Sequence, residues 1–174
     1  MTGGSPIAEI IEAGVAHAAV IAVLHRDCLG EAWSQASVAQ LLALPGAFAL
    51  IAIDDAGRPA GFAICLGAGE SAPEDVELLA IGVVPDRRRR GVGSTLLSEC
   101  LLRSARAGAQ AMLLEVAEDN RIACAFYGRF GFSRFGRRAD YYGPGRDAVL
   151  LRCEVTAQAG APHAAARSRR FLSN

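Results

Sequence analysis

The sequence predicts an α/β protein in which helices flank a central sheet of mixed topology. Short apolar runs of β-strand length alternate with longer segments whose apolar residues recur at helical spacing. Two of these runs flank the Asp- and Gly-containing segment 54–59 and predict a β-hairpin, which joins antiparallel strands. A further apolar run, 76–84, leads through a tight turn into a helix, and a chain of 174 residues is typical of one domain.

The elements before residue 68 are each predicted from a local pattern. Ala-rich composition and apolar spacing favour a helix over residues 15–29. Ser37 is predicted to cap a second, short helix that ends before Pro45. Strands are predicted at residues 7–12, 47–53 and 60–66, and a polar loop at residues 67–75.

The second half of the chain is predicted to contain two helices. The first begins at Gly93, and Gly108 supplies the glycine that commonly follows a helix C-terminus. Asn120 is predicted to cap the second helix, and Gly131 to close it. Strands are predicted at residues 76–84, 111–116, 132–137 and 148–155.

The domain organisation is expected to be simple, because neither an internal repeat nor a linker interrupts the pattern. Residues 1–155 are expected to form one domain. Residues 156–174 are rich in Ala, Ser and Arg without periodicity, and we expect them to be a disordered tail.

Composition narrows the classes of function. The formal charge of zero offers no field to recruit nucleic acid or a membrane surface. No apolar run approaches the ~18 residues of a membrane span, and the first residues lack the pattern of a signal peptide, so a cytoplasmic protein is expected. The five cysteines are scattered without CxxC spacing, which predicts neither a disulfide framework nor a metal site. All 18 basic residues are Arg, so a lysine Schiff base is excluded.

The segment Arg88-Arg89-Arg90-Gly91-Val92-Gly93 joins the strand at 76–84 to the helix that follows it. A helix N-terminus carries backbone N–H groups without intrahelical partners and the positive end of the helix dipole, and both attract anions. Gly91 and Gly93 lack Cβ, so a phosphate can approach the backbone closely. The turn predicts a site for a phosphate-bearing ligand; a solvated charge run or a nucleic-acid patch is the alternative for the arginines.

Three kinds of phosphate-binding glycine turn compete at this position. A Walker loop requires a Lys, and the chain contains none. A dinucleotide-binding turn requires a third Gly at the position that Leu96 holds, so this alternative fits poorly. The remaining pattern is Arg or Gln, two residues, Gly, one residue, and then Gly or Ala, all placed after a strand.

This turn and the residues downstream of it resemble the GCN5-related N-acetyltransferase (GNAT) family. The strand Leu113-Leu114-Glu115-Val116, then Asn120, then the Tyr-containing segment 125–132 follow one another in the family's order. The spacing of these residues and the segment 137–142 are similar to bacterial ribosomal-protein-alanine N-acetyltransferases of the RimI type. The resemblance covers roughly residues 7–155 and implies a single GNAT-like domain with a mixed, mostly antiparallel central sheet.

The resemblance implies acetyl-coenzyme A (acetyl-CoA) as the co-substrate. The pantetheine arm is expected to pair with the backbone of three consecutive strand residues, Ile81, Gly82 and Val83. Asn120 is expected to contact the same arm, and its pattern also suits a helix N-cap, so both roles are compatible. The pyrophosphate is expected to lie on the turn, against Arg88, Arg89, Arg90, Gly91, Val92, Gly93 and Ser94.

Acetyl transfer to an amine needs a base for the amine proton and an acid for the leaving thiolate. The resemblance implies Glu115 as the base and Tyr127 as the acid. In its apolar strand Glu115 is unusual, because desolvation penalises the charge; pointing to solvent or pairing with an Arg is the alternative. Tyr127 lies between Phe126 and Phe130, so an aromatic core residue is the alternative for it.

Glu77, Tyr141 and Tyr142 are candidates for acceptor binding. A carboxylate can hold a basic group, and hydroxylated rings can flank a peptide backbone; packing at a sheet edge is the alternative for the tyrosines. The expected acceptor is a protein or peptide N-terminus, in particular that of a ribosomal protein. Two other functions stay open, namely acetylation of a small-molecule amine and acyl-CoA binding without turnover.

Overall fold

The computed structural model describes residues 9–30, 33–67 and 75–155. The strands in these ranges are β1 (Glu9–Ala13), β2 (Ala47–Ile53), β3 (Pro59–Gly67), β4 (Asp75–Val83), β5 (Ala111–Ala117), β6 (Ser133–Arg138) and β7 (Ala148–Glu154). They form one seven-stranded sheet in the order β1-β2-β3-β4-β5-β7-β6. All neighbours are antiparallel except β4 and β5. The mixed, mostly antiparallel sheet confirms the predicted fold class.

Four helices in the described ranges cover the two faces of the sheet: α1 (Ala18–Leu29), α2 (Gln35–Leu42), α3 (Val92–Arg106) and α4 (Arg121–Arg129). α1 and α2 bury Ile21 and Val38 against one face. α3 and α4 bury Leu97 and Tyr127 against the other face. Removing this apolar surface from water is the main stabilisation of such a layered fold. None of the helices in the described part of the chain has the length and apolar composition that a membrane crossing requires.

The predicted elements are present, with differences at their ends. Ser34, and not Ser37, caps α2, because Ser34 Oγ accepts a hydrogen bond from the Ser37 backbone N–H at 3.0 Å. The prediction for Ser37 was wrong, since a capping side chain satisfies an amide two or three residues after itself. Residues 7–8, most of the loop predicted at 67–75, and the predicted tail lie outside the described residues.

A β-bulge in β4 changes which face its side chains point to. The pairing with β3 passes from Ala80 directly to Leu78, so Leu79 is the additional residue. Leu78 packs on the α3 side of the sheet, whereas Leu79 and Ala80 both pack on the α1 side. Ile81 and Val83 consequently return to the α3 side. The bulge therefore sets the orientation of the last part of β4, next to the candidate site.

Candidate active site

β4 and β5 separate beside the arginine- and glycine-containing turn. Parallel pairing joins only residues 75–77 of β4 to residues 111–113 of β5. β4 continues to Val83 and β5 to Ala117, and each keeps its antiparallel partner on the other side. Within the described residues, the edge of β4 that faces β5 therefore has no strand partner along its second half. Such an edge suits an extended ligand that pairs with the main chain.

The turn between β4 and α3 leads into a helix whose first backbone amides have no acceptor within the helix. Gly91 is the N-cap of α3 at φ +86°, and no side chain caps the helix. Thr95 donates its backbone N–H to the carbonyl oxygen of Gly91 at 3.0 Å. The amides of Val92, Gly93 and Ser94 precede this bond, at positions where a helix provides no acceptor. Three amides without an intrahelical acceptor, at the positive end of a 15-residue helix, suit a pyrophosphate.

Arg88, the first residue of the turn pattern, holds two elements together. Its Nε donates to the carbonyl oxygen of Val83 at 3.0 Å, and its Nη2 donates to that of Cys28 at 2.8 Å. These bonds tie the C-terminal end of α1 to the end of β4. The guanidinium of Arg88 is therefore already bonded to two carbonyl oxygens. The cofactor contact predicted for Arg88 stays a prediction. The side chains of Arg89 and Arg90 are exposed and are better placed to meet an anion.

Gly82 is required by packing, independently of any ligand. A Cβ at this position would lie 2.6 Å from Cys28 Cβ and 2.8 Å from Phe62 Cε1. Real Cβ atoms do not approach so closely, so a side chain here would push α1 away from the sheet. Gly82 lies between Ile81 and Val83 on the part of β4 without a β5 partner. The pairing of this backbone with a cofactor arm stays a prediction.

Glu115 lies on β5 and is paired with a cation. Its Oε1 lies 3.0 Å from Arg138 Nη1, and its side chain is 17% exposed. The Glu115 carboxylate also lies near Tyr141, and its hydrogen-bonding and charge effects raise the pKa of the Tyr141 hydroxyl. The Arg138 guanidinium stacks over the Tyr141 ring, with its central carbon 5.5 Å from the ring centroid. The structure thus shows the alternative arrangement, in which Glu115 pairs with an Arg. The role of Glu115 as a base stays a prediction.

Tyr127 lies on α4, in an aromatic cluster. Its ring makes edge contacts with Phe126 and Phe132 at centroid distances of 5.3 and 5.6 Å, and the residue is 8% exposed. Burial raises the pKa of Tyr127 above its usual range, and the neighbouring Tyr142 adds to this shift. The hydroxyl is therefore protonated at neutral pH, where it can donate a hydrogen bond. Tyr127 is both an aromatic core residue and a candidate donor.

The candidate acceptor residues lie around Glu115. Tyr141 and Tyr142 are 50% and 40% exposed, and their rings meet edge to face at 5.0 Å. The charge of Glu77, on β4, is close enough to contribute to the raised pKa of Tyr141. Glu115 and Tyr142 thus both lie next to Tyr141, and Tyr142 is near enough to Tyr127 to influence its pKa. The structure brings the predicted catalytic and acceptor residues into one region, and their roles stay predictions.

Asn120 caps α4, as its pattern predicts. Its Oδ1 accepts a hydrogen bond from the Ala123 backbone N–H at 3.1 Å. The side-chain NH₂ group of Asn120 is not used by this cap, so it can donate to a ligand. The contact with a pantetheine arm stays a prediction.

Arg138 is the residue of this site that carried no predicted role. The sheet order places it there, because Arg138 and Ala117 pair with the same residue, Ala148, from opposite sides of β7. This sets Arg138 across β7 from the end of β5, where a long side chain can reach Glu115. Its position in the segment 137–142, next to the tyrosines, was the available signal.

The fold agrees with those of solved acetyltransferases. The model of the acetyltransferase (GNAT) family matches residues 19–132, which is more than half of the chain. This chain belongs to the GNAT family.

Individual relatives show the same likeness. N-alpha-acetyltransferase RimI of Mycobacterium tuberculosis is 41% identical over 97 residues, which are 55% of this chain and 60% of that protein. The crystal structure of the ribosomal-protein-S18-alanine N-acetyltransferase of Escherichia coli has a TM-score of 0.75 at 22% identity and covers 85% of this chain and 94% of that chain. NAA60 of Arabidopsis thaliana, in complex with acetyl-CoA, has a TM-score of 0.70 at 18% identity and covers 84% of this chain and 99% of that chain. At these identities the structural likeness shows the fold alone.

Gly91→Val is expected to weaken coenzyme A binding about tenfold or more. Its branched side chain would stand beside the free amides of α3, and losing one hydrogen bond to a charged group costs about 1.5–3 kcal/mol. Gly108→Val is the matched control, because Gly91 and Gly108 both have φ +86° and flank the two ends of α3. Both variants lose stability through backbone strain, but only the first is expected to lose affinity in titration calorimetry. Equal affinities of the two variants would contradict this placement of the pyrophosphate.

Proposed function

We propose that this protein transfers the acetyl group of acetyl-CoA to the N-terminal α-amine of a protein, with the N-terminal alanine of a ribosomal protein as its acceptor. One observation carries the proposal: the gap between β4 and β5 is flanked by the free amides of α3 and by the cluster of Glu115 with three tyrosines. Membership of the GNAT family, the acetyl-CoA bound to NAA60 and the names of the RimI relatives support it.

In the proposed reaction, Glu115 takes a proton from the acceptor ammonium, directly or through a water. The freed lone pair then forms the C–N bond at the thioester carbonyl carbon, and an amide N–H of β4 holds the oxyanion. The C–S bond breaks as the carbonyl re-forms, and the attacking nitrogen loses its second proton, which ends on the coenzyme A thiolate. The Tyr127 hydroxyl donates to the leaving sulfur, and because the pKa of Tyr127 is raised, this donation is chiefly a hydrogen bond that stabilises the thiolate. The products are the acetylated amine and coenzyme A.

An α-amine suits this site better than a lysine side chain. With pKa values near ~8 and ~10.4, about a quarter of α-amines and about one in a thousand lysine amines are neutral at pH ~7.5. A single carboxylate base can therefore deprotonate an α-amine at a smaller cost in free energy than a lysine amine. Exposed tyrosines beside Glu115 also offer hydroxyls and ring faces to the first peptide units of an acceptor.

The cysteines are consistent with a reducing compartment, and we propose the cytoplasm. All five are free thiols. Burial raises the pKa of Cys28 to about 11, so this thiol stays protonated and unreactive at neutral pH.

A panel of acceptors tests the proposal. Release of coenzyme A thiol would be measured with peptides that begin with alanine, with the same peptides blocked at the N-terminus but carrying an internal Lys, and with small amines. We expect turnover with the free N-termini and loss of at least about 99% of it with the blocked peptides, in line with the fractions of neutral amine. Faster turnover of small amines would favour the small-molecule alternative. Coenzyme A binding without turnover of any acceptor would favour a binding module.

A further inference from the structure

Asp54 is a buried carboxylate far in sequence from every predicted site residue. It begins the turn between β2 and β3 and is 4% exposed. Its Oδ1 accepts hydrogen bonds from the backbone N–H groups of Ala56 and Arg58, both at 2.9 Å. Its Oδ2 accepts from Arg58 Nη2 at 3.1 Å and from Arg87 Nη2 at 2.7 Å. Both oxygens are thus used, and one of the bonds leaves the hairpin.

The bond to Arg87 connects the hairpin to the cofactor turn. Arg87 ends the short 3₁₀ turn Pro85–Arg87 that follows β4. Its side chain is 22% exposed, against 64% for Arg58, so this ion pair is the more shielded of the two. Solvent and salt weaken a shielded pair less. Two of the next four residues after Arg87 have a left-handed backbone conformation, namely Arg89 at φ +60° and Gly91 at φ +86°.

The Asp54 carboxyl is ionised at neutral pH. Hydrogen bonding from the backbone N–H of Arg58 is the largest cause that lowers the pKa of Asp54, followed by the Arg58 side chain. A lowered pKa in the folded state means that the carboxylate stabilises the fold above the unfolded pKa of about 3.9. This stabilisation is lost as the pH falls through the folded pKa. At neutral pH the bond to Arg87 is therefore intact.

We propose that Asp54 is a positioning residue for the pyrophosphate turn. Through Arg87 it anchors the start of the turn to the sheet, so that the left-handed residues after it direct the amides of Val92, Gly93 and Ser94 toward the ligand. The inference rests on the proposed function, since it assumes that acetyl-CoA binds at this turn. Preorganised donors bind better than donors that must be ordered on binding, which is why a fixed turn matters.

Asp54→Asn tests the inference because a charge effect and a positioning effect predict opposite changes in the affinity for coenzyme A. By charge alone, removing a carboxylate near the turn would strengthen binding of a polyanion. Loss of the anchor instead weakens it, and we expect a coenzyme A dissociation constant about tenfold higher in titration calorimetry. Asp86→Asn is the matched control, because Asp86 also lies beside Arg87, at 3.8 Å, but is 75% exposed. We expect its affinity to be equal to, or slightly higher than, that of the wild type.

Variants of the two arginines separate the anchor from general stability. Arg87→Gln is expected to weaken coenzyme A binding as Asp54→Asn does, Arg87→Lys to restore part of the affinity, and Arg58→Gln to leave it within about twofold. If Asp54→Asn does not fold, these three variants still decide the question.

Two outcomes overturn different claims. Unchanged or tighter binding by Asp54→Asn, or equal losses in Arg87→Gln and Arg58→Gln, would overturn the positioning role while the wild type still bound coenzyme A. A wild-type protein that binds no coenzyme A would overturn the proposed function itself.

Discussion

Replacing Tyr127 by phenylalanine is expected to lower kcat by about 10²–10³-fold, the usual cost of removing one donor that stabilises charge in the transition state. Phenylalanine keeps the ring between Phe126 and Phe132, so the core of α4 is preserved and only the hydroxyl is removed. The leaving thiolate then loses a donor in a buried site, where a hydrogen bond is worth more than in water.

The pKa of Tyr127 makes the test more specific. Because burial raises it, the hydroxyl stays protonated through the pH range in which an ordinary tyrosine would ionise. The dependence of kcat on pH near pH ~10 is therefore expected to have the same shape in the wild type and in Tyr127→Phe. Steady-state kinetics between neutral and alkaline pH would measure this.

Tyr142→Phe is the control for Tyr127→Phe, because it removes a second hydroxyl from the same cluster at a residue that is 40% exposed. We expect it to raise the KM of the acceptor and to change kcat only a few-fold, as is typical of a binding contact. Coenzyme A should bind to both variants as it does to the wild type. Equal kcat in the wild type and Tyr127→Phe would remove Tyr127 from the chemical step.

Local sequence signals were sufficient for the elements that frame the site. The strand before the turn, the helix after it and the cap at Asn120 each depend on residues within a few positions of one another. Such patterns are visible in one sequence because propensity, capping and periodicity are local effects. The gap between β4 and β5 is different, since it depends on where pairing stops between strands that α3 separates in the chain.

The long arginine side chains were the least predictable part. In the sequence, residues 87–90 are four equivalent cations, but the structure gives them different tasks. Arg87 reaches Asp54, which lies 33 residues earlier, and Arg88 reaches the carbonyl oxygen of Cys28, which lies 60 residues earlier. Sequence spacing does not show such contacts, because a flexible side chain finds whichever partner the tertiary fold brings near.

Glu115→Gln is the second variant with a large expected effect, about 10²–10⁴-fold in kcat/KM at neutral pH. Glutamine has nearly the same shape, but it cannot take a proton from the acceptor ammonium. Glu118→Gln is the matched control, because Glu118 is also paired with arginines of β6, Arg134 and Arg137 at 2.9 and 3.0 Å. Similar losses in the two variants would attribute the effect to ion pairing in the sheet and not to proton transfer.

The dependence on pH separates proton removal from a purely structural role of Glu115. An α-amine with a pKa near ~8 loses its proton to solvent as the pH rises, so the need for a protein base decreases. If Glu115 removes that proton, the deficit of Glu115→Gln is expected to shrink steadily between pH ~7 and ~9. If Glu115 instead only holds Arg138 and Tyr141 in place, the deficit would be the same at every pH in this range, because the lost contacts do not depend on the acceptor's protonation. A constant deficit would therefore show that Glu115 is a positioning residue and not a catalytic one. A shrinking deficit would show that Glu115 removes the proton of the acceptor amine.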